Sequence, residues 1–326
     1  MAVRKLTTTQ LVSEVRSLCD EVNSASLDTE ADILPALNRA QDVAANILAK
    51  HYESPLITSK MVTLNSGQRD YPIPYDAFEN RLEKIEVAIQ NGIYNPVKRQ
   101  NYRDATLLET PARTSIPMFY AEIGDNYRLY PGPTGGYPLR IWYMREPDPL
   151  VLERGTLSKW NPAQSWIQVS AKGLDTSVFS VEMDDPASYL SIVDSDTGAV
   201  KATLQLQNIG PNGRLSFRTV PVKSTFIGRP VSGSLPDNLT NEDLICEAGG
   251  TCVPILKKPI SGYMIQMAAS ELMNTKLGMQ NQMAEQMRQE MHRIVQESWV
   301  GRESYLKVRT ANPHFQKLGK RTNWRY

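Results

Sequence analysis

Cysteine is scarce in this sequence: Cys19, Cys246 and Cys252 are the only three in 326 residues. An odd, sparse set argues against a disulfide framework and fits a reducing compartment. Cys246 and Cys252 flank a Gly-Gly turn and could pair only if their segments lie side by side. Histidine is equally rare, and none of His51, His292 and His314 stands at metal-ligand spacing from another His or Cys. Long apolar runs are missing, so no segment is expected to cross a bilayer. The opening Met-Ala-Val-Arg-Lys-Leu-Thr lacks the apolar stretch of a secretory signal. An excess of charge is missing too. Net charge is +1, from 36 Lys and Arg against 35 Asp and Glu, and selects neither nucleic acid nor an acidic membrane. There is no phosphate-cradling glycine loop ending in Lys-Ser/Thr and no Gly-x-Ser-x-Gly elbow. The expectation is a chain that is not an enzyme, with no catalytic residue, metal ligand or cofactor. Asp184-Asp185 and Asp194 with Asp196 have cation-ligand chemistry, but neighbouring acids in loops are ordinarily solvated turn residues.

What is present is enough apolar sequence, 41%, for two or three compact units. Thr7 and Gln10 have capping-box spacing, and Leu6 and Leu11 staple spacing. Leu11, Val15, Leu18 and Val22 then recur at helical spacing, widened by Val12 and Cys19. A second helix is expected after Asp28 or Thr29, with Leu34, Leu37, Ala44, Ile47 and Leu48 on one face. Pro35 fits there only in the first turn or with a kink. The short link predicts an antiparallel helical hairpin.

From about residue 55 the period changes to that of strands. Candidates are Met61-Val62 with Leu64, then Ile85, Val87 and Ile89, then Phe119-Tyr120, 127–130 and 137–143. Asn91-Gly92 is a hairpin signal. After the joint Glu146-Pro147-Asp148-Pro149, residues 151–236 are rich in Ser, Thr, Asp and Gly. Short alternating runs at 166–169, 178–181 and 200–206 predict a small β-sandwich or barrel, inserted because helical pattern resumes afterwards. Pro259 suits the first turn of that helix, and Ile260, Tyr263, Met264, Met267, Ala268 and Leu272 give its apolar face.

Two features admit two readings each. Met279, Met283, Met287 and Met291 step at four-residue spacing, as a helix core or as a face packed against another subunit. The tail from 308 onward carries Arg309, Lys317, Lys320, Arg321 and Arg325 and no acid. It is either a solvated terminus or an arm docking on a partner, since Phe315, Trp324 and Tyr326 are interleaved with the cations. Its cations could also touch nucleic-acid phosphates. Trp142, Tyr143 and Trp160 read as strand packing residues, or alternatively as a sugar-binding face.

The order of blocks resembles a known family. An amphipathic hairpin carries Leu37-Asn38-Arg39-Ala40. Arg69-Asp70-Tyr71-Pro72-Ile73-Pro74 leads to the Asn-Gly hairpin and Pro96-Val97-Lys98-Arg99. Pro117-Met118-Phe119-Tyr120 precedes Tyr127-Arg128-Leu129-Tyr130-Pro131-Gly132-Pro133 and Leu139-Arg140-Ile141-Trp142-Tyr143. A long C-terminal helix ends at Asn312-Pro313-His314-Phe315. This is similar to the head-to-tail adaptors of tailed phages, especially short-tailed ones, over roughly 7–145 and 240–315.

The resemblance implies a virion protein at the head-tail interface, made in the host cytoplasm. It implies a homo-oligomeric ring, usually of twelve copies, beneath the portal protein. A tail nozzle or tail fibre protein would lie below, and genomic DNA would pass through the lumen without sequence recognition. By that likeness Pro313, His314, Phe315, Lys317, Lys320, Arg321, Trp324, Arg325 and Tyr326 form the portal-docking arm. Leu11, Val15, Leu18, Leu37, Met264, Met267, Met283, Met287 and Met291 serve helical or intersubunit packing. The expected fold is α+β: a helical bundle from both termini and a β-rich middle. The expected segments are an N-terminal hairpin 1–54, a β-rich domain 55–148, an inserted β domain 149–237, helices 238–308 and an extended arm 309–326. The alternatives are another tail component, such as a nozzle or fibre-attachment protein, a carbohydrate-binding β protein, or a DNA-binding module using the tail.

Overall fold

The computed structural model describes residues 5–19, 26–49, 56–90, 92–105, 116–170, 177–182, 185–218, 231–256 and 258–276, together with 289 and 293. The chain is α+β. It divides into two compact units, Met1–Thr8 with Leu48–Leu256, and Thr9–Ile47 with Lys257–Tyr326.

The second unit is helical. Helix α1 (Thr8–Leu18) buries Leu11, Val12 and Val15 along one stripe, which Cys19 continues just past its end. Before the next helix, Asp28 caps the chain by accepting from the amides of Glu30 and Ala31. A π-helical turn over Thr29–Ile33 then runs into α2 (Leu34–Leu48). The wide turn sits where Pro35 requires it. Proline has no amide to give, and its ring crowds the carbonyl four residues earlier, so a regular α-turn is disfavoured there. Helix α4 (Lys258–Thr275) belongs to the same unit, so helical segments from both halves of the sequence converge. Ion pairs Arg39–Glu271 (2.6 Å) and Lys276–Asp32 (3.0 Å) join α4 to the α2 region, and the Cys19 thiol donates to the Ala269 carbonyl. Helix α4 buries Ile260, Tyr263, Met264, Ile265, Ala268, Ala269, Leu272 and Met273, more of its circumference than a single surface stripe.

The first unit begins with a seven-stranded sheet. Its strands are β1 (Ile57–Thr63), β2 (Asp70–Pro72), β3 (Ala77–Gln90), β4 (Ile93–Arg99), β5 (Phe119–Ile123), β6 (Asn126–Tyr130) and β7 (Pro138–Arg145), with the short α3 (Tyr102–Ala105) between β4 and β5. The order is β1-β7-β3-β4-β5-β6-β2, antiparallel except for β4 beside β5. Pairing of Gln90 with Ile93 leaves a two-residue connection, and Gly92 takes the positive φ, +76°, that such a hairpin turn needs. Period-two alternation sends Ile85, Val87, Leu139, Ile141, Tyr120 and Leu129 into one core. The rings of Tyr71 and Tyr127 stack there at 5.8 Å.

Strands β8 (Gly155–Asn161), β9 (Trp166–Val169), β10 (Tyr189–Val193), β11 (Val200–Ile209), β12 (Arg214–Phe217) and β13 (Leu244–Glu247) close a barrel in the order β10-β11-β12-β9-β8-β13. Its interior is filled by Leu157, Ile167, Leu190, Ile192, Leu204 and Leu215. Closure depends on β13, which pairs with both β8 and β10 and lies beyond residue 237. Four residues beside a Gly-Gly turn carry too little pattern to announce a strand. Residues 178–181, which alternate like a strand, form none. Phe179 instead inserts its ring into the barrel core.

The barrel also holds a buried ionic clamp. Lys201 Nζ reaches Asp243 (2.8 Å) and Asp194 (3.1 Å), and donates to the Asn238 carbonyl. Asp243 is 1% exposed and accepts further bonds from the Thr240 amide and hydroxyl. Asp194 also accepts from the amides of Asp196 and Thr197. The Asp194 carboxylate, which could be read as a cation ligand, is thus engaged with a lysine and with its own loop. Asp185 likewise accepts from the Ala187 amide, and Asp184 lies outside the described residues. Among the described residues no group of three or more metal-ligating side chains comes together.

Candidate functional site

The most elaborate surface in the first unit is the outer face of the sheet, where β1, β7, β3 and β4 lie side by side. Alternation places Lys84, Glu86, Arg140 and Trp142 on the side opposite Ile85, Val87, Leu139 and Ile141. The register sets Glu86 across from Arg140, and Lys84 across from Trp142. Glu86 accepts from Arg140 (2.8 and 2.9 Å) and from the Trp142 indole N–H (2.9 Å), and pairs with Lys84 on its other oxygen. The Arg140 guanidinium lies 4.1 Å from the Tyr94 ring centroid and 5.2 Å from that of Trp142. The Tyr94 hydroxyl meets the sulfur of Met61, whose side chain is 52% exposed. Ile93, at the start of β4, is 66% exposed.

Glu86 is 6% exposed, and that burial alone would raise its pKa. The hydrogen bonds from Lys84, Trp142 and Arg140 outweigh it and hold the carboxyl at about 2. The folded value lies below the ordinary 4.5. The cluster therefore contributes stability that is fully present above pH 4.5 and is lost as pH falls toward 2. Glu86→Gln is expected to flatten this acid limb in urea melts taken between pH 5 and 2. A variant with the wild-type slope would contradict the assignment.

The arrangement is a rigid, satisfied platform of Arg, Trp, Tyr and Met, the side chains that most often anchor protein contacts. Elsewhere in this unit a cleft of about 150 Å³, lined by Leu56, Ile57, Thr58, Arg145 and Ile255, falls below the roughly 300–1,000 Å³ typical of ligand pockets. Trp142, Tyr143 and Trp160 do not share a face. Trp142 is bonded to Glu86, Tyr143 points to the opposite side with its hydroxyl on Asp76, and Trp160 packs against the barrel core.

Of the packing residues expected from helical spacing, Leu11, Val15, Leu37 and Met264 are buried and Met267 is half-buried. Leu18 is 47% exposed. Met283, Met287 and Met291 lie outside the described residues, as does the whole arm from Pro313 to Tyr326.

The Glu86 cluster is not visible in the sequence. Alternation alone could have paired Lys84 with Glu86 and Arg140 with Trp142, but only the register brings the two strands' residues together. A family model described as SU10 adaptor protein matches residues 6–169, half of the chain, from α1 to the first hairpin of the barrel. None of the curated proteins matches.

Proposed function

The chain belongs to the SU10 adaptor protein family of phage head-tail adaptors, and from that premise we propose that it forms the ring joining the portal of a short-tailed phage to its tail. The family places it among virion structural proteins. The proposed ring has twelve copies, takes the portal on one side and a tail nozzle or fibre protein on the other, and lets DNA pass without reading it. A ring of identical chains needs two different complementary faces per copy. The sheet's Arg-Trp-Tyr-Met platform and the helical unit supply surfaces of different chemistry for this. Near-zero net charge keeps many adjacent copies from repelling one another. The observation that carries the reading is the family match, which spans half of the chain.

In this proposal the segment from Pro313 to Tyr326 is the arm that grips the portal, using Phe315, Trp324 and Tyr326 among five cations at 309–325. Deleting residues 312–326 is expected to abolish co-sedimentation with portal protein while leaving the melting temperature within about 1 °C of wild type. Full portal binding by the shortened chain would refute the role of the arm.

A further inference from the structure

We propose that Cys246 and Cys252 are a redox-convertible pair, held as thiols in the host cytoplasm and joined by a disulfide when the particle enters an oxidising medium. Cys246 sits near the end of β13, opposite Ser191 of β10. The chain turns through residues 247–251 and returns as Cys252. Gly249 takes φ +92° in that turn, and Gly250 is wedged so closely that a Cβ would lie 2.6 Å from Val151 and 2.8 Å from the Pro149 carbonyl. Both cysteines are fully buried and share one small apolar cluster with Val193, Leu244 and Val253. The Cys246 thiol donates to the Gly250 carbonyl, inside the cluster that it shares with Cys252. Neither Cys246 nor Cys252 is joined in a disulfide.

The backbone on either side is already pinned. Thr251 N donates to Pro149 O (2.9 Å), Val151 N to Thr251 O (3.0 Å), and the Thr251 hydroxyl to Val253 O (2.9 Å). A bond between the sulfurs therefore joins two segments that are already fixed beside each other, and closes the turn at 247–251. With a small disulfide such as oxidised glutathione, one cysteine thiolate attacks a glutathione sulfur and expels glutathione thiolate. The second cysteine thiolate then displaces the other glutathione. Two protein thiols are oxidised, one glutathione disulfide is reduced to two thiols, and the cysteine protons pass to the leaving thiolates.

The neighbouring Cys246 and burial both push the Cys252 thiol up, so thiolate is scarce and the exchange is slow, proceeding through opening of the turn. Virion proteins leave a reducing cytosol for an oxidising exterior, which is where a disulfide persists. This timing rests on the chain being a virion component; the chemistry of the pair does not.

The test is prolonged incubation of the full-length purified protein with oxidised glutathione. Thiols titrated in denaturant are expected to fall from three to one. Peptide mapping should link Cys246 to Cys252. The melting temperature should rise by roughly 5 °C, reversibly with dithiothreitol. Cys19→Ser should keep this response and Cys252→Ser lose it. Three persisting thiols, or a link that involves Cys19, would overturn the pair, and the wild-type mapping decides this even if a variant fails to fold. In purified phage particles the link should be present. A pair that oxidises in solution but stays reduced in particles would overturn the timing alone.

Discussion

Lys201→Met is expected to cost about 3–5 kcal/mol, because it strands a buried carboxylate. Lys201 Nζ is the cation of Asp243, at 2.8 and 3.0 Å from its two oxygens, and of Asp194 at 3.1 Å. Asp243 is 1% exposed, so water cannot replace the ammonium. Strands β10 and β11 flank the loop of Asp194, and Asp243 immediately precedes β13, so the clamp fastens the part of the barrel where a late strand completes the ring. The urea midpoint of the variant reads the loss. Adding Asp243→Asn to Lys201→Met removes the stranded charge and should recover part of it, giving a non-additive cycle. Simple additivity would mean that the three groups do not act as one unit.

Leu37→Ala is expected to cost about 2–5 kcal/mol. Leu37 is fully buried on α2, flanked on the same helix by buried Ala36, Ala40 and Ala44. The small alanines beside it leave a cavity that the helix fills only in part, which is what sets the cost of such a truncation. Loss of helical circular dichroism at lower urea would register the effect. A variant as stable as wild type would mean that this face of α2 is not the core of the helical unit.

Both predictions rest on residues that differ in how visible they are in the sequence. Leu37 was legible because an amphipathic helix repeats locally: Leu34, Leu37, Ala44 and Leu48 need no distant partner to be recognised. Asp28 as a cap and the disturbance at Pro35 are equally local. Strands β3 and β7 were legible for the same reason, as was the hairpin at Gly92. The ionic clamp was not, since Lys201 and Asp243 meet only through the pairing of β10 with its neighbours on both sides. The same holds for Glu86 and Arg140, which look like ordinary alternating surface residues until the register sets them opposite each other. Strand β13 was hidden by brevity, and the run at 178–181 misled because alternation there serves a single inserted ring, Phe179. The helical segments of both halves of the sequence do fall in one compact unit, as far as α4 reaches.

Family membership is a statement about ancestry, and what the proteins of this family do is joined to this chain by assembly. Under the proposed function the chain builds a closed ring that seats on a portal. Electron microscopy of the purified protein, alone and mixed with the portal protein of the same phage, measures this directly. The expected result is a ring with twelvefold symmetry stacked coaxially on the portal, with an open lumen wide enough for duplex DNA, roughly 20 Å or more. A chain that stays monomeric in the presence of portal, or a complex without rotational symmetry, would contradict it.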